Sequence, residues 1–309
     1  MLVAQGHILA SAVTRALAHA RGIRVVAIEN TMHSERLLWD DAAALPVVHN
    51  RAREHWWRHH AAVTGEEAEA YVASYLERIK ELKSTQHTSP TGSKGLPPAD
   101  ADASGATKTI VYLGQVTTDA SVLFGIGPGF DRQLDVIRAT VMHGLELGHR
   151  VVVKLHPKEN QGGTPLGGTY DRLTLRQMQA DPLLAPLLDH ERLVVDPDNR
   201  FDTYPLIDAA DLCVTVNSQA GLEALIKGKE LVTCGHAFYG GLGFTHEADD
   251  PATLTACIDR VLEFDEPRNV DDTARRFFTA YLSGYCRDKT PAAVAELLAG
   301  QDSRRRRAR

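Results

Sequence analysis

Five apolar runs in this sequence stop at residues able to carry protons, bind anions or attack carbon. IRVVAIE (23–29) closes on Glu29 and runs into Asn30 and Thr31. TIVYLG (109–114) leads to Gln115, Thr117, Thr118 and Asp119. RVVVKL (150–155), which contains Lys154, leads to His156 and Pro157. LCVTV (212–216) leads to Asn217, Ser218 and Gln219, and ELVTC (230–234) to Gly235, His236, Tyr239, Gly240 and Gly241. Ser218 stands where it can cap a helix over 220–227, and the exposed N–H groups of that first turn, with the helix dipole, suit a phosphate. On spacing alone, a plain helix cap explains the same residues equally well. Glu223, one turn further in, would repel a phosphate but could accept hydrogen bonds from ribose hydroxyls; an ordinary surface glutamate is the alternative. His156, held by the stiff Pro157, can donate a hydrogen bond to a leaving phosphate or be a satisfied structural histidine. Lys154 and the Ser218 turn on the same sheet edge favour the first. Asp119 can serve as nucleophile or base, or only form a turn, and Glu29 carries the same ambiguity. The glycine-rich stretch after 234 is expected to close over a ligand, with Tyr239 near its base or sugar.

These residues need a scaffold that brings strand ends together. Between the strands, Phe130, Leu134, Ile137, Val141 and Leu145 recur at spacings of three and four, which predicts a helix with one apolar face. RLVV (192–195) adds a further strand, and helices are expected over 252–262 and 271–282. Strand–helix alternation of this kind implies a parallel sheet covered on both faces, in which ligands bind beyond the carboxyl ends of the strands. The fold class expected is α/β: one complete Rossmann-like parallel-sheet domain over 109–285, with a C-terminal helix and basic tail over 286–309.

The front piece, 1–83, shows a helix over 8–20, a break at Gly22, the strand 23–29 and a helix over 65–83. One strand with two or three helices does not complete a doubly wound domain. It is therefore either an accessory to the rear domain or the end of a larger domain into which the chain starts partway, and the second is expected. Residues 84–108, STQHTSPTGSKGLPPADADASGATK, offer almost nothing to bury and predict a mobile linker.

Composition narrows the function further. A net charge of −6 argues against a general nucleic-acid binder, and no apolar run is long enough to span a membrane. The start lacks the pattern of an export signal. Cys213, Cys234, Cys257 and Cys286 form no CxxC pair and predict reduced packing residues. His55, His59 and His60 lack the partners that would complete a metal site. The GxxxxGK[ST], GxSxG and GxGxxG patterns are absent, which removes P-loop NTPases, nucleophile-elbow hydrolases and the common dinucleotide fingerprint. The tail SRRRRAR (303–309) is read as a solvated end, with anionic lipid or a protein partner as the alternative.

VVVKLHPKEN, followed by DAADLCVTVNSQAGLEALIKGKELVTCGHAFYGGLGFT, resembles the bacterial capsule polysaccharide biosynthesis and export family. The shared features are a strand ending in K-x-H-P, a V-x-N-S-x-x-G-L-E-A-L-x-x-G-K stretch and a G-x-A-x-Y-x-x-x-G-x-T loop. YLGQVTTDASV is similar to its Q-x-x-x-D segment, and ARGIRVVAIENTMHSERLLWDD to a segment near the end of its first domain. The resemblance covers about residues 20–283. It departs at Thr31, since the family's E-x-G is Glu29-Asn30-Thr31 here and the glycine is lost, at Glu230 in place of a proline, and in the shortness of the front domain.

What the resemblance implies is a GT-B-like fold of two facing Rossmann-like domains and a transferase that moves Kdo (3-deoxy-manno-octulosonic acid) from CMP-Kdo with retention. Asp119 would be the nucleophile and Glu29 the acid/base. Gln115, Lys154, His156, Pro157, Asn217, Ser218, Gln219, Glu223 and Tyr239 would form the nucleotide site. No metal cofactor is implied. The implied partners are a nucleotide sugar, a glycan or glycolipid acceptor and capsule assembly proteins, and the implied location is cytoplasmic, peripheral at the inner membrane. The competing expectations are a degenerate relative that binds nucleotide or a partner without turnover, and a UDP-sugar enzyme or epimerase of similar shape.

Overall fold

In the computed structural model, residues 2–4, 9–41, 52–86, 107–160, 171–263 and 271–299 are described. Most of the expected linker and the whole arginine-rich tail lie outside these residues. The chain divides into two units, one of Met1–Ala68 with Arg276–Arg309, the other of Glu69–Arg275. The sequence pattern places boundaries at 83–84, 108–109 and 285–286.

The first unit opens with β1 (Leu2–Ala4), α1 (Leu9–Ala20), β2 (Val26–Asn30), β3 (Arg36–Asp40), α2 (Ala52–His59) and the start of α3 (Gly65–Gln86). Helix α1 stops where Gly22 takes φ +66. The Gly22 N–H donates to His19 and the Ile23 N–H to Ala18, the paired bonds of a left-handed helix cap that only glycine adopts without strain. The turn consumes residues 21–23, so β2 begins at Val26 rather than at Ile23. The strand β3, RLLWD, lies antiparallel to β2 with Leu38 opposite Glu29.

In the second unit α3 continues, and then come β4 (Thr109–Leu113), α4 (Ala120–Gly125), α5 (Gln133–Glu146), β5 (Arg150–Lys154), α6 (Leu173–Ala180), β6 (Leu193–Asp196), α7 (Thr203–Ala209), β7 (Leu212–Thr215), α8 (Gln219–Ile226), β8 (Glu230–Thr233), β9 (His246–Glu247), α9 (Pro251–Leu262) and the first half of α10 (Asp271–Thr279). All six strands are parallel, in the order β6-β5-β4-β7-β8-β9. Ile110, Val111, Val152, Val153, Leu212, Val214, Leu231 and Val232 are buried, as strands covered on both faces must be. Helix α5 lays Leu134, Ile137 and Val141 on the sheet. It also meets α9 through His143 Nε2 with Asp259 at 2.6 Å, and just beyond the two helices His149 Nε2 meets Glu263 at 2.9 Å. The order outward from β4 runs through β5 and β6 on one side and β7, β8 and β9 on the other. That reversal is the doubly wound arrangement, and its crevice opens between the carboxyl ends of β4 and β7.

After Arg276 the chain returns to the first unit through a π-helical segment (Ala280–Tyr285), β10 (Arg287–Asp288) and α11 (Pro291–Ala299). Strand β10 pairs antiparallel with β3 and completes a small mixed sheet, β1-β2-β3-β10. Trp39 Nε1 donates to the Tyr285 carbonyl at 3.1 Å, and the Tyr285 hydroxyl donates back to the Trp39 carbonyl at 2.9 Å. The four cysteines are buried thiols and none is in a disulfide.

Candidate functional site

The crevice between β4 and β7 is closed at its base by two amides. Gln115 Nε2 donates to Asn217 Oδ1 at 2.8 Å, and the Asn217 backbone N–H returns a bond to Gln115 Oε1 at 3.0 Å. Asn217 Nδ2 then reaches the Ser121 carbonyl at 2.7 Å. The backbone of Gln115 is in turn held by the side chain of Gln133, which accepts its N–H at 2.9 Å and donates to its carbonyl at 3.0 Å. All three residues are buried. Gln115 and Asn217, expected to touch a nucleotide, instead spend their side chains on each other and on Ser121, and so fix the two loops on which a ligand would rest.

Above this latch, Ser218 takes the capping conformation expected of it, and its side chain accepts the Ala220 N–H at 3.2 Å. Gln219 and Glu223 follow on one face of α8, four residues apart, both half-buried. Glu223 Oε1 accepts the hydroxyl of Tyr204 at 2.7 Å and of Tyr75 at 3.0 Å. Tyr239 does not face the crevice: it is fully buried, and its hydroxyl donates to the Ser218 carbonyl. A Cβ at Gly221 would run into that hydroxyl, so the glycine serves this packing. The glycine-rich segment is likewise turned inward at Ala237, Phe238 and Gly240, with His236 exposed and its backbone N–H bound to the Gly125 carbonyl at 2.6 Å.

After β5 the chain turns through Pro157 into a single 3-10 turn, Pro157–Asn160. His156 Nδ1 accepts the Lys158 N–H at 3.2 Å, which leaves the ring proton on Nε2, the atom a phosphate would meet. Burial pushes the His156 pKa down to about 4, helped by Lys158 and Lys154 and opposed by Asp119. The imidazole is therefore neutral near pH 7, a hydrogen-bond donor rather than a cation. The turn is anchored from below by Glu159, buried, whose carboxyl oxygens take the Thr174 N–H at 3.0 Å and hydroxyl at 2.6 Å. Lys154, expected to face the phosphate, is buried as an ion pair with Asp196 at 2.6 Å and also donates to Asn199. Its charge holds β5 and the loop after β6 together.

Asp119 is exposed and caps α4, with Oδ1 accepting the Ser121 N–H at 2.8 Å. Its second oxygen takes no hydrogen bond among the described residues, and its field acts on His156. Glu29 belongs to the first unit, buried on β2. Within the second unit the structure thus gathers Asp119, His156, Pro157, Ser218, Gln219 and Glu223 at strand ends, over a support of Gln115 and Asn217. Gln133, Glu159, Tyr75 and Tyr204 escape sequence reasoning. Gln133, Tyr75 and Tyr204 each act on a site residue from another element, Glu159 ties the turn of His156 and Pro157 to Thr174, and no local pattern marks a helix glutamine or tyrosine as a partner of a residue up to 148 positions away. No cluster of three or more His, Cys, Asp or Glu able to hold a metal is found among the described residues.

Comparison with known proteins places this arrangement. A model of the family described as "Capsule polysaccharide biosynthesis protein" matches residues 98–256, more than half of the chain. The lipopolysaccharide-processing protein LpsZ of Rhizobium meliloti is 28% identical over 154 residues, which are 50% of this chain and 29% of that protein. The chain thus spans less than a third of that relative's length. Two solved structures of Thermosulfurimonas dismutans KpsC, a beta Kdo 2,4 transferase and a beta Kdo 2,7 transferase, align with 97% of this chain and 85% of theirs. Both have a TM-score of 0.54, with 18% and 19% identity, a likeness of fold.

Proposed function

The chain belongs to the capsule polysaccharide biosynthesis family, and from that premise we propose that it is a glycosyltransferase of capsular or surface polysaccharide assembly, transferring Kdo from CMP-Kdo with retention. The observation that carries the proposal is the neutral His156, whose Nε2 proton meets no acceptor among the described residues, on the same sheet edge as the capped N-terminus of α8 and the exposed carboxylate of Asp119.

In this proposal the CMP phosphate lies at the α8 N-terminus, where backbone N–H groups and the helix dipole favour an anion. His156 donates from Nε2 to a phosphate oxygen and stabilises the charge that grows as the sugar leaves. One oxygen of Asp119 is held by the Ser121 N–H, and the other attacks the anomeric carbon. The bond from that carbon to the phosphate oxygen breaks, and CMP departs with the electron pair. The acceptor hydroxyl then attacks the same carbon from the opposite side, passes its proton to a general base, and the carbon–Asp119 oxygen bond breaks to release the carboxylate. Two inversions give net retention. The acid/base role of Glu29 is proposed on the resemblance alone, and Glu29→Gln is its separate test.

The test is CMP release on incubation with CMP-Kdo and a glycan or glycolipid acceptor, for the wild type and Asp119→Ala. Release abolished by the substitution supports the proposal. Release that survives it removes Asp119 as nucleophile, and CMP binding without any turnover favours a binding role in the same assembly.

A further inference from the structure

Glu223 is the one acidic group on the first two turns of α8, five residues beyond the Ser218 cap. At 1.5 Å per residue it lies roughly 7.5 Å along the axis from the helix terminus, about the step from a nucleotide's 5′-phosphate to its ribose hydroxyls. A carboxylate so close to an anion site needs a reason to be there and a means of being held still. The structure supplies the means. Tyr204, from the helix after β6, and Tyr75, from α3, both donate to the same oxygen, Oε1, at 2.7 and 3.0 Å. Oε2 accepts no hydrogen bond among the described residues.

The tyrosine pair is itself fixed. Tyr75 is buried, and the Lys227 ammonium sits 5.2 Å over the Tyr204 ring while pairing with Asp208 at 2.8 Å. Burial, with Glu223 beside them, pushes both phenol pKa values far up, so the hydroxyls stay donors at any working pH. Two donors on one oxygen lock the carboxylate's rotation about its terminal bond and set the lone pairs of the other oxygen in one direction. A glutamate serving only as helix-surface charge would not need two donors recruited from two distant helices.

We propose that Tyr75 and Tyr204 are positioning residues that hold Glu223 with its second oxygen turned to accept the ribose hydroxyls of the bound nucleotide, and so make the site select ribonucleotides over deoxyribonucleotides. The inference rests on the nucleotide site proposed above. It makes Glu223 the ribose contact and the two tyrosines, which need not touch the ligand, the source of its precision.

The test is calorimetric titration of the full chain with CMP and with 2′-deoxy-CMP, for the wild type, Tyr75→Phe, Tyr204→Phe, the double variant and Glu223→Gln. A thermal melt of each protein reports that it is folded. The wild type is expected to favour CMP by about tenfold, the worth of one hydrogen bond to a charged group. Glu223→Gln and the double phenylalanine variant should cut that preference to threefold or less while leaving 2′-deoxy-CMP affinity within about twofold. A merely structural pair would weaken both ligands alike and leave the ratio intact, which overturns the proposal. A wild type that binds both nucleotides equally overturns it too, with the nucleotide site still standing. A wild type that binds neither overturns the nucleotide site itself and this inference with it.

Discussion

Replacing Asn217 by alanine removes two hydrogen bonds from the base of the β4–β7 crevice, and their cost follows from what is left behind. Gln115 Nε2 loses its 2.8 Å acceptor and retains only the Ser121 hydroxyl at 3.3 Å. The Ser121 carbonyl loses its 2.7 Å donor. Each buried polar group deprived of its partner costs about 1–3 kcal/mol, so Asn217→Ala should destabilise the second unit by about 2–5 kcal/mol. Gln115→Ala strands the Asn217 N–H and Oδ1 and should cost a similar amount. Because the two changes break shared bonds, the double variant should be less unstable than the sum, with a coupling of at least about 1 kcal/mol. All three tryptophans, Trp39, Trp56 and Trp57, lie in the first unit, so their fluorescence does not report on this region. Urea unfolding followed by far-ultraviolet circular dichroism measures the loss, with the tryptophan signal as an internal control. A cost below about 0.5 kcal/mol for Asn217→Ala, or additive single changes, would refute the latch.

Three further outcomes are expected. Gly221→Ala drives a methyl into the Tyr239 hydroxyl beneath α8 and should destabilise by about 1–3 kcal/mol, as overpacking does; a thermal melt with unchanged midpoint contradicts this. Ser218→Ala removes the cap and should cost about 1 kcal/mol, whereas Ser218→Gly should cost only a few tenths, a difference read by the same melts. The folded-state pKa of His156, about 4, lies below its ordinary value of 6.5, so above pH 6.5 neither the folded nor the unfolded protein carries the proton. Between pH 6.5 and 4 only the unfolded chain takes it up, and stability falls with pH. At pH 5 this costs the wild type at most about 2 kcal/mol relative to pH 7.5. His156→Gln should lack that component, and parallel losses in the two proteins would contradict the burial of the ring.

How much of this was legible in advance depends on how local each signal is. The strands β4, β5, β6, β7 and β8 are short apolar runs bounded by polar turns, and each was visible to within a residue or so. The two-residue β9 and the short α4 and α7 carry too little pattern to be seen. RLLWD carries no alternation that marks it as β3, and β10 is recruited from the far end of the chain. At the site, the Ser218 cap was readable because capping is set by neighbours in sequence. Lys154 was read as a phosphate ligand because its partner Asp196 lies 42 residues on, visible only once β5 and β6 pair. Tyr239 was read as a ligand contact because a tyrosine among glycines suggests an open loop. Nothing local announced that the loop folds inward and tucks the ring under Gly221.

The central claim is that His156 and the α8 terminus hold the phosphate of a nucleotide. Calorimetric titration of CMP into the wild type and His156→Ala at pH 7.5 tests it most directly. The account predicts saturable one-to-one binding that weakens by about tenfold or more in the variant, the loss of one hydrogen bond to a charged group. Equal affinity for CMP in the two folded proteins would contradict it, as would the absence of binding to the wild type.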